Sequence, residues 1–138
     1  MGKDGSQPIG DFAITMTHAV HSNSIDDHGR RRYGGEPAGF IVAMPGSFTV
    51  YHAGDTAVFG DMKLIGELYQ PHRVALRRPL YHGPREAAYA IRLLGVKQVI
   101  PMHYATFEFL TGTAEGLRQE AKKIKRLQIY ALKPGEKL

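Results

Sequence analysis

Tyr51-His52-Ala53-Gly54-Asp55-Thr56 is a run of strand-forming residues that ends in an acid on a turn. Gly54 before Asp55 allows the chain to bend sharply, and Asp followed by Thr favours turn hydrogen bonds. Working outward, two histidine segments have the same form. His18-Ala19-Val20-His21-Ser22 follows the alternating stretch Phe12, Ile14, Met16, and His103 follows Val99-Ile100-Pro101-Met102. Each is a strand ending in a group able to bind metal.

The rest of the chain sets these three segments in an order. Residues 22–37 are polar and Gly-rich and read as a loop. Residues 38–43 are apolar, Pro45-Gly46 signals a turn, and Phe48 to Ala53 forms a second strand, so the pair reads as a hairpin that delivers Asp55. Asp61 is placed to cap a helix carrying Leu64, Ile65 and Leu68, stopped by Pro71. A strand is expected after Pro71. Gly83-Pro84 opens a helix with Ala87, Ile91 and Leu94 on one face, ended by Gly95. Lys97 to Met102 reads as a strand, Thr113 caps a helix with Leu117, Ala121 and Ile124 inward, and Leu127 to Leu132 reads as a last strand. Strands alternating with helices in this way imply one layered α/β domain.

With 138 residues the chain forms one domain at most. No apolar run approaches the roughly 18 residues of a membrane span, and the start lacks the apolar core of a signal peptide. Cysteine is absent, which excludes disulfides, thiolate metal sites and cysteine nucleophiles and fits a reducing cytoplasm. The net charge of +5 gathers in Arg30-Arg31-Arg32 and Lys122-Lys123-Ile124-Lys125-Arg126. No aromatic residues interleave with these clusters, so they read as a basic loop and a solvated helix end rather than a nucleic-acid surface.

Imidazole and carboxylate suit zinc, manganese or iron when thiolates are missing. His21, Asp55 and His103 stand in equivalent positions at strand ends, where a sheet fixes ligands and loops expose them.

From Ile9 to Leu138 the chain resembles the C-terminal half of the metallo-β-lactamase superfamily, in its branch of small cytoplasmic metal-dependent hydrolases related to the ascorbate-phosphate lactonases. The resemblance rests on Met16-Thr17-His18-Ala19-Val20-His21-Ser22, Gly34-Gly35-Glu36-Pro37-Ala38-Gly39-Phe40, Tyr51-His52-Ala53-Gly54-Asp55-Thr56, Gly60-Asp61-Met62-Lys63-Leu64-Ile65, Gly83-Pro84-Arg85-Glu86-Ala87-Ala88 and Val99-Ile100-Pro101-Met102-His103-Tyr104, in this order. It implies half of a four-layer αββα fold, with a mixed, mainly antiparallel sheet and flanking helices. It also implies hydrolysis of a small-molecule substrate by metal-activated water, at a site of two divalent metals, zinc or manganese. By this resemblance His21 binds the first metal, Asp55 is the catalytic bridging carboxylate and His103 binds the second metal. His18 is a weaker candidate, His52 supports the strand or the site, and His28, His72 and His82 have no matching role.

Two departures qualify that picture. The family's His-x-His-x-Asp-His run is absent, and the half that carries it would lie before Met1. Each metal position then falls short of the three protein ligands usual for catalytic zinc, so weak or absent metal binding by the isolated chain is expected. An apolar surface facing the missing half would recruit a partner, either a second copy in a homodimer or a separately encoded N-terminal half. The alternatives to an enzyme are a non-catalytic fragment needing a partner half, and a basic nucleic-acid-binding module. The second departure is His72-Arg73-Val74-Ala75-Leu76-Arg77-Arg78-Pro79-Leu80-Tyr81-His82, where the family has an apolar strand and an active-site loop. Codons for Pro79-Leu80-Tyr81-His82 in a shifted frame can encode Arg-Tyr-Thr-Met, which suggests a frameshifted stretch within residues 72–83. The functional alternative gives Arg77 and Arg78 an anionic substrate to bind.

Overall fold

The computed structural model describes residues 1–77, 83–103 and 112–138. Nine strands and three α-helices follow one another among them: β1 (Ser6–Ile9), β2 (Phe12–His18), β3 (Ser24–Asp27), β4 (Arg30–Tyr33), β5 (Ala38–Ala43), β6 (Thr49–His52), α1 (Met62–Tyr69), β7 (Arg73–Arg77), α2 (Pro84–Leu94), β8 (Gln98–Met102), α3 (Ala114–Ala121) and β9 (Gln128–Ile129). Seven strands make one mixed sheet in the order β1-β2-β5-β6-β7-β8-β9, and β3 and β4 form a separate ribbon. Pairing is antiparallel from β1 through β6 and parallel from β6 through β9. The α/β expectation holds, with the antiparallel half built from hairpins and the parallel half from helical crossovers.

The period-two alternation gives the sheet two unlike faces. The row Thr15, Ile41, Tyr51, Val74, Val99 and Ile129 crosses six strands in register. Ile41, Tyr51, Val74 and Val99 from this row join one buried cluster with Met62 and Ile65 of α1, Ala87, Ile91 and Leu94 of α2, and Leu117 and Ala121 of α3. All three helices therefore pack on this face. Gly66 is the contact point between α1 and α2, since a Cβ there would meet the Leu94 carbonyl oxygen at 2.4 Å. The other face carries Ile14, Met16, Phe40, Val42, Val50, Ala75 and Ile100, all half-buried and left uncovered by the described helices. Arg73 bounds it on one side. Its guanidinium donates to Gln98 Oε1 at 2.8 and 3.0 Å and lies over the Phe48 and Tyr130 rings.

Several local expectations need correction. Residues 22–37 contain the β3–β4 ribbon rather than a plain loop. Its turn, His28-Gly29, takes positive φ at both residues (52° and 79°), the two-residue geometry that matches strand twist. The strand β1 pairs with β2 ahead of the first expected strand. Asp61 precedes α1 but makes no side-chain cap bond, because its own backbone is already helical (φ −71°, ψ −6°). Leu64 and Leu68 of that helix point outward, 52% and 73% exposed, while Met62 and Ile65 are buried. Residues 127–132 form only the two-residue β9, and α3 ends at Ala121, leaving Ile124 to pack on the core from a turn. Thr113 does cap α3, accepting from Gly116 N at 3.0 Å.

The first part of the stretch suspected of a frameshift, residues 72–77, forms β7 and the residue before it. Val74 and Leu76 are buried in β7, and His72 is anchored to Thr49 through its backbone N and its ring. Buried and half-buried residues alternate along this strand from Arg73 to Leu76. The Arg77 side chain and residues 78–82, including His82, lie outside the described residues.

Candidate metal centre

Register decides which edge of the sheet carries the candidate ligands. Met16, Phe40, His52, Ala75 and Ile100 form one row. Asp55 lies three residues beyond His52 and His103 three beyond Ile100, at the same end of two strands that run the same way. The strand β2 also points to this edge, and His21 follows its last residue by three. All three candidates thus share one edge. Strands are spaced about 4.8 Å apart, so β6 and β8, with β7 between them, are roughly 10 Å apart.

The loops that carry His21 and Asp55 meet at Thr56, a residue only 2% exposed. Val20 N donates to Thr56 Oγ1 at 2.9 Å, and Thr56 Oγ1 donates to Ala57 O at 2.8 Å. Ala57 N donates back to Val20 O at 2.8 Å. The loop after β2 is therefore stitched to the loop after β6, with His21 and Asp55 each one residue from the stitch. Gly54 makes the bend before Asp55 at φ +65°, and a Cβ there would meet the Ala38 carbonyl oxygen at 2.3 Å. His103 takes φ +56° where β8 ends, a strained backbone for a non-glycine residue of a kind that clusters at functional sites.

Donor chemistry and shared edge suit a divalent metal, but the number of donors does not. Among the described residues no group of three or more His, Cys, Asp or Glu side chains could hold a metal ion.

The other histidines have local duties. His18 Nδ1 accepts from Lys3 Nζ at 3.1 Å, and its ring stands edge-on to Phe59 at 5.4 Å. Lys3 also reaches Glu36 at 3.5 Å, and Tyr33 donates to Glu36. That bond raises the Tyr33 phenol, while the same bond and then Lys3 hold the Glu36 carboxyl below its ordinary value. His52 is exposed, and its Nδ1 accepts from Gly54 N at 3.2 Å, supporting the turn. His28 is a turn residue, and His72 stacks on Phe48 at 5.0 Å. Thr56 is the residue that sequence reasoning passed over, since Asp-Thr reads as an ordinary turn pair. In the basic clusters, Arg32 pairs with Asp27 at 2.6 Å across the ribbon, Asp26 caps the turn at Gly29, and Lys122, Lys123, Lys125 and Arg126 are exposed on the turn after α3.

A family model described as the β-lactamase superfamily domain matches residues 1–104. The chain belongs to the metallo-β-lactamase superfamily. Within it, the chain is 49% identical over 142 residues to a protein of Rubrobacter xylanophilus named UPF0173 metal-dependent hydrolase, covering 100% of this chain and 59% of that one. A protein of the same name from Solibacter usitatus is 46% identical, over 99% of this chain and 60% of its own. Igni18, a metallo hydrolase of Ignicoccus hospitalis, superposes with a TM-score of 0.80 at 30% identity, covering 99% of this chain and 57% of its own. The metallo-β-lactamase fold protein YhfI of Bacillus subtilis shares the fold at a TM-score of 0.66 and 16% identity. The chain thus spans less than two thirds of the length of these superfamily relatives.

Proposed function

We propose that this chain forms one wall of a metal-dependent hydrolase centre, with His21, Asp55 and His103 as ligands to a divalent metal, zinc or manganese. By the resemblance, further ligands would come from a segment bearing a His-x-His-x-Asp-His run, which this sequence does not contain. The observation that supports this reading is the common edge, where register puts Asp55 and His103 past the same end of parallel strands and Thr56 joins the loop of His21 to the loop of Asp55. When bound, the metal supplies Lewis acidity and an activated water for hydrolysis of a small-molecule substrate. The chain's own part is to fix the donors: Gly54 sets the bend, Thr56 joins two loops, and β8 presents His103. By the resemblance to the superfamily, Asp55 is the carboxylate that would be shared between two metals. A cytoplasmic location fits a chain without cysteine.

A second reading, a subunit that is inactive until a partner completes it, is favoured by the lack, among the described residues, of a group of donors able to hold a metal and by the apolar sheet face that the described helices leave uncovered. Calorimetric titration of the chain with zinc or manganese tests both. We expect no stoichiometric sub-micromolar binding by the chain alone. Addition of a polypeptide carrying a His-x-His-x-Asp-His run should produce tight binding, abolished by His21→Ala or Asp55→Ala. Tight binding by the chain alone, or binding indifferent to both substitutions, overturns the proposal.

A further inference from the structure

We propose that the groove beside α1 docks an amphipathic helix of a partner protein, one with leucine-like residues on its buried face and lysine or arginine along one flank. The proposal does not depend on the ligand assignment above.

The helix layer stops short of the end of the sheet. α2 lies between α1 and α3, so α1 ends the layer. Among the described residues the core beneath the helices takes side chains from β5 to β8, with Ile129 of β9 packed alongside, and none from β1 or β2. Those two strands close the sheet on the α1 side. They add roughly 10 Å of width at the usual strand spacing, about the diameter of one helix with its side chains.

Between α1 and β2 lies a groove of about 430 Å³ with two unlike linings. Leu64, Leu68 and Tyr69 of α1, with Phe59 before it, are the apolar side. Leu64 and Leu68 are 52% and 73% exposed and stand one turn apart on the same flank. A single exposed leucine needs no explanation, but two at this spacing above a groove form the seam by which one helix packs on another. The other lining is polar: Thr17 and His18 of β2, Asp4, and Asp61 at the start of α1. Among the described residues neither Asp4 nor Asp61 makes a side-chain hydrogen bond or ion pair. Lys3, which reaches His18, is already paired with Glu36 at 3.5 Å. A chain of net charge +5 thus shows two unpaired acids at this groove. Charge complementarity selects a basic flank on the incoming helix and rejects an acidic one. The open sheet face is a different surface, since Ile14, Phe40 and Val42 stand on the side of the sheet away from α1.

Nuclear magnetic resonance on the intact 138-residue chain tests this, with a synthetic amphipathic leucine–lysine helix as probe and its leucine–glutamate counterpart as control. The leucine–lysine peptide should shift the amides of residues 17–18 and 59–69. Replacing both leucines, Leu64→Gln with Leu68→Gln, should weaken binding about tenfold. Both side chains are exposed, so the fold should survive, which an otherwise preserved spectrum verifies. Asp4→Asn with Asp61→Asn should weaken the leucine–lysine peptide at low salt and bring it close to the leucine–glutamate one. Val42→Lys, on the open face, should leave binding unchanged. Shifts centred on Ile14, Phe40 and Val42, equal binding of the two peptides by wild type, or binding indifferent to the leucine pair each overturn the proposal. So does self-association of the free chain through α1, seen as concentration-dependent shifts at residues 64 and 68 that the double leucine variant abolishes, because the occupant is then a second copy.

Discussion

Gly54 and Tyr51 show how little freedom the strand before Asp55 has. Gly54 combines φ +65° with a backbone oxygen 2.3 Å from where a Cβ would stand. Gly54→Ala should therefore lower stability by about 2 kcal/mol or more, measured by urea unfolding. Tyr51 is fully buried, and burial pushes its phenol up. Thr17 is near enough to oppose that shift, but neither hydroxyl has a well-formed partner among the described residues. Because the folded chain holds the phenol proton more tightly than the unfolded chain does, the associated stability is intact below the ordinary tyrosine value of about 10. It is lost as pH rises from there through the raised folded value. Tyr51→Phe should be close to neutral at pH 7 and gain on wild type above about pH 10, as read by denaturation at a series of pH values. At this scale the candidate ligands were legible, since a His or Asp closing a strand is a visible pattern. Thr56 was not, because its importance lies in a contact 36 residues away along the chain, which nothing local encodes.

The elements separate real signals from apparent ones. Thr113 and Asp61 both stand where a helix cap belongs, yet only Thr113 makes the bond. Thr113→Ala should cost about 1 kcal/mol, whereas Asp61→Ala should stay within about 0.5 kcal/mol. Thermal unfolding of the two variants gives the comparison. The same contrast explains the helix faces. Ile65 is buried and Leu64 and Leu68 are not, although all three are apolar residues of one short helix. Periodicity located the helix, but its rotation is fixed by Gly66 against Leu94, a tertiary contact. Strand β1 escaped notice because all four of its residues are exposed and carry no apolar alternation. The ribbon β3–β4 escaped because its pairing is written in a turn and in charges rather than in hydrophobicity.

At the scale of the whole molecule, the sheet is finished on one side only. Helices bury the face of Tyr51 and Val74, while the face of Ile14, Phe40 and Val42 is covered by none of the described helices. An uncovered face of this kind normally draws a partner. The chain alone should self-associate as concentration rises, and Val42→Lys should weaken that association without a matching loss of stability. Sedimentation velocity tests this, and a wild-type chain that stays monomeric throughout would contradict it. No described helix is long and apolar enough to cross a membrane, so a bilayer is not what these helices provide for. Fold class could be read from element order, since alternating strands and helices leave few layered solutions. The shortfall of ligands was expected from the absent His-x-His-x-Asp-His run, whereas how the donors present are placed across the sheet from several loops was not legible.

The ribbon closes on itself before it rejoins the sheet. Gly34 N donates to Asn23 O at 3.2 Å, and Asn23 Nδ2 donates to Gly34 O at 3.0 Å. Everything between these two residues is an excursion with its ends already joined, hanging from a clasp that leaves His21 on one side and Ala38 on the other. Such a segment can be shortened, lengthened or exchanged like a fitting on a socket. The molecule can thus vary what borders its candidate centre without disturbing the residues that would build it.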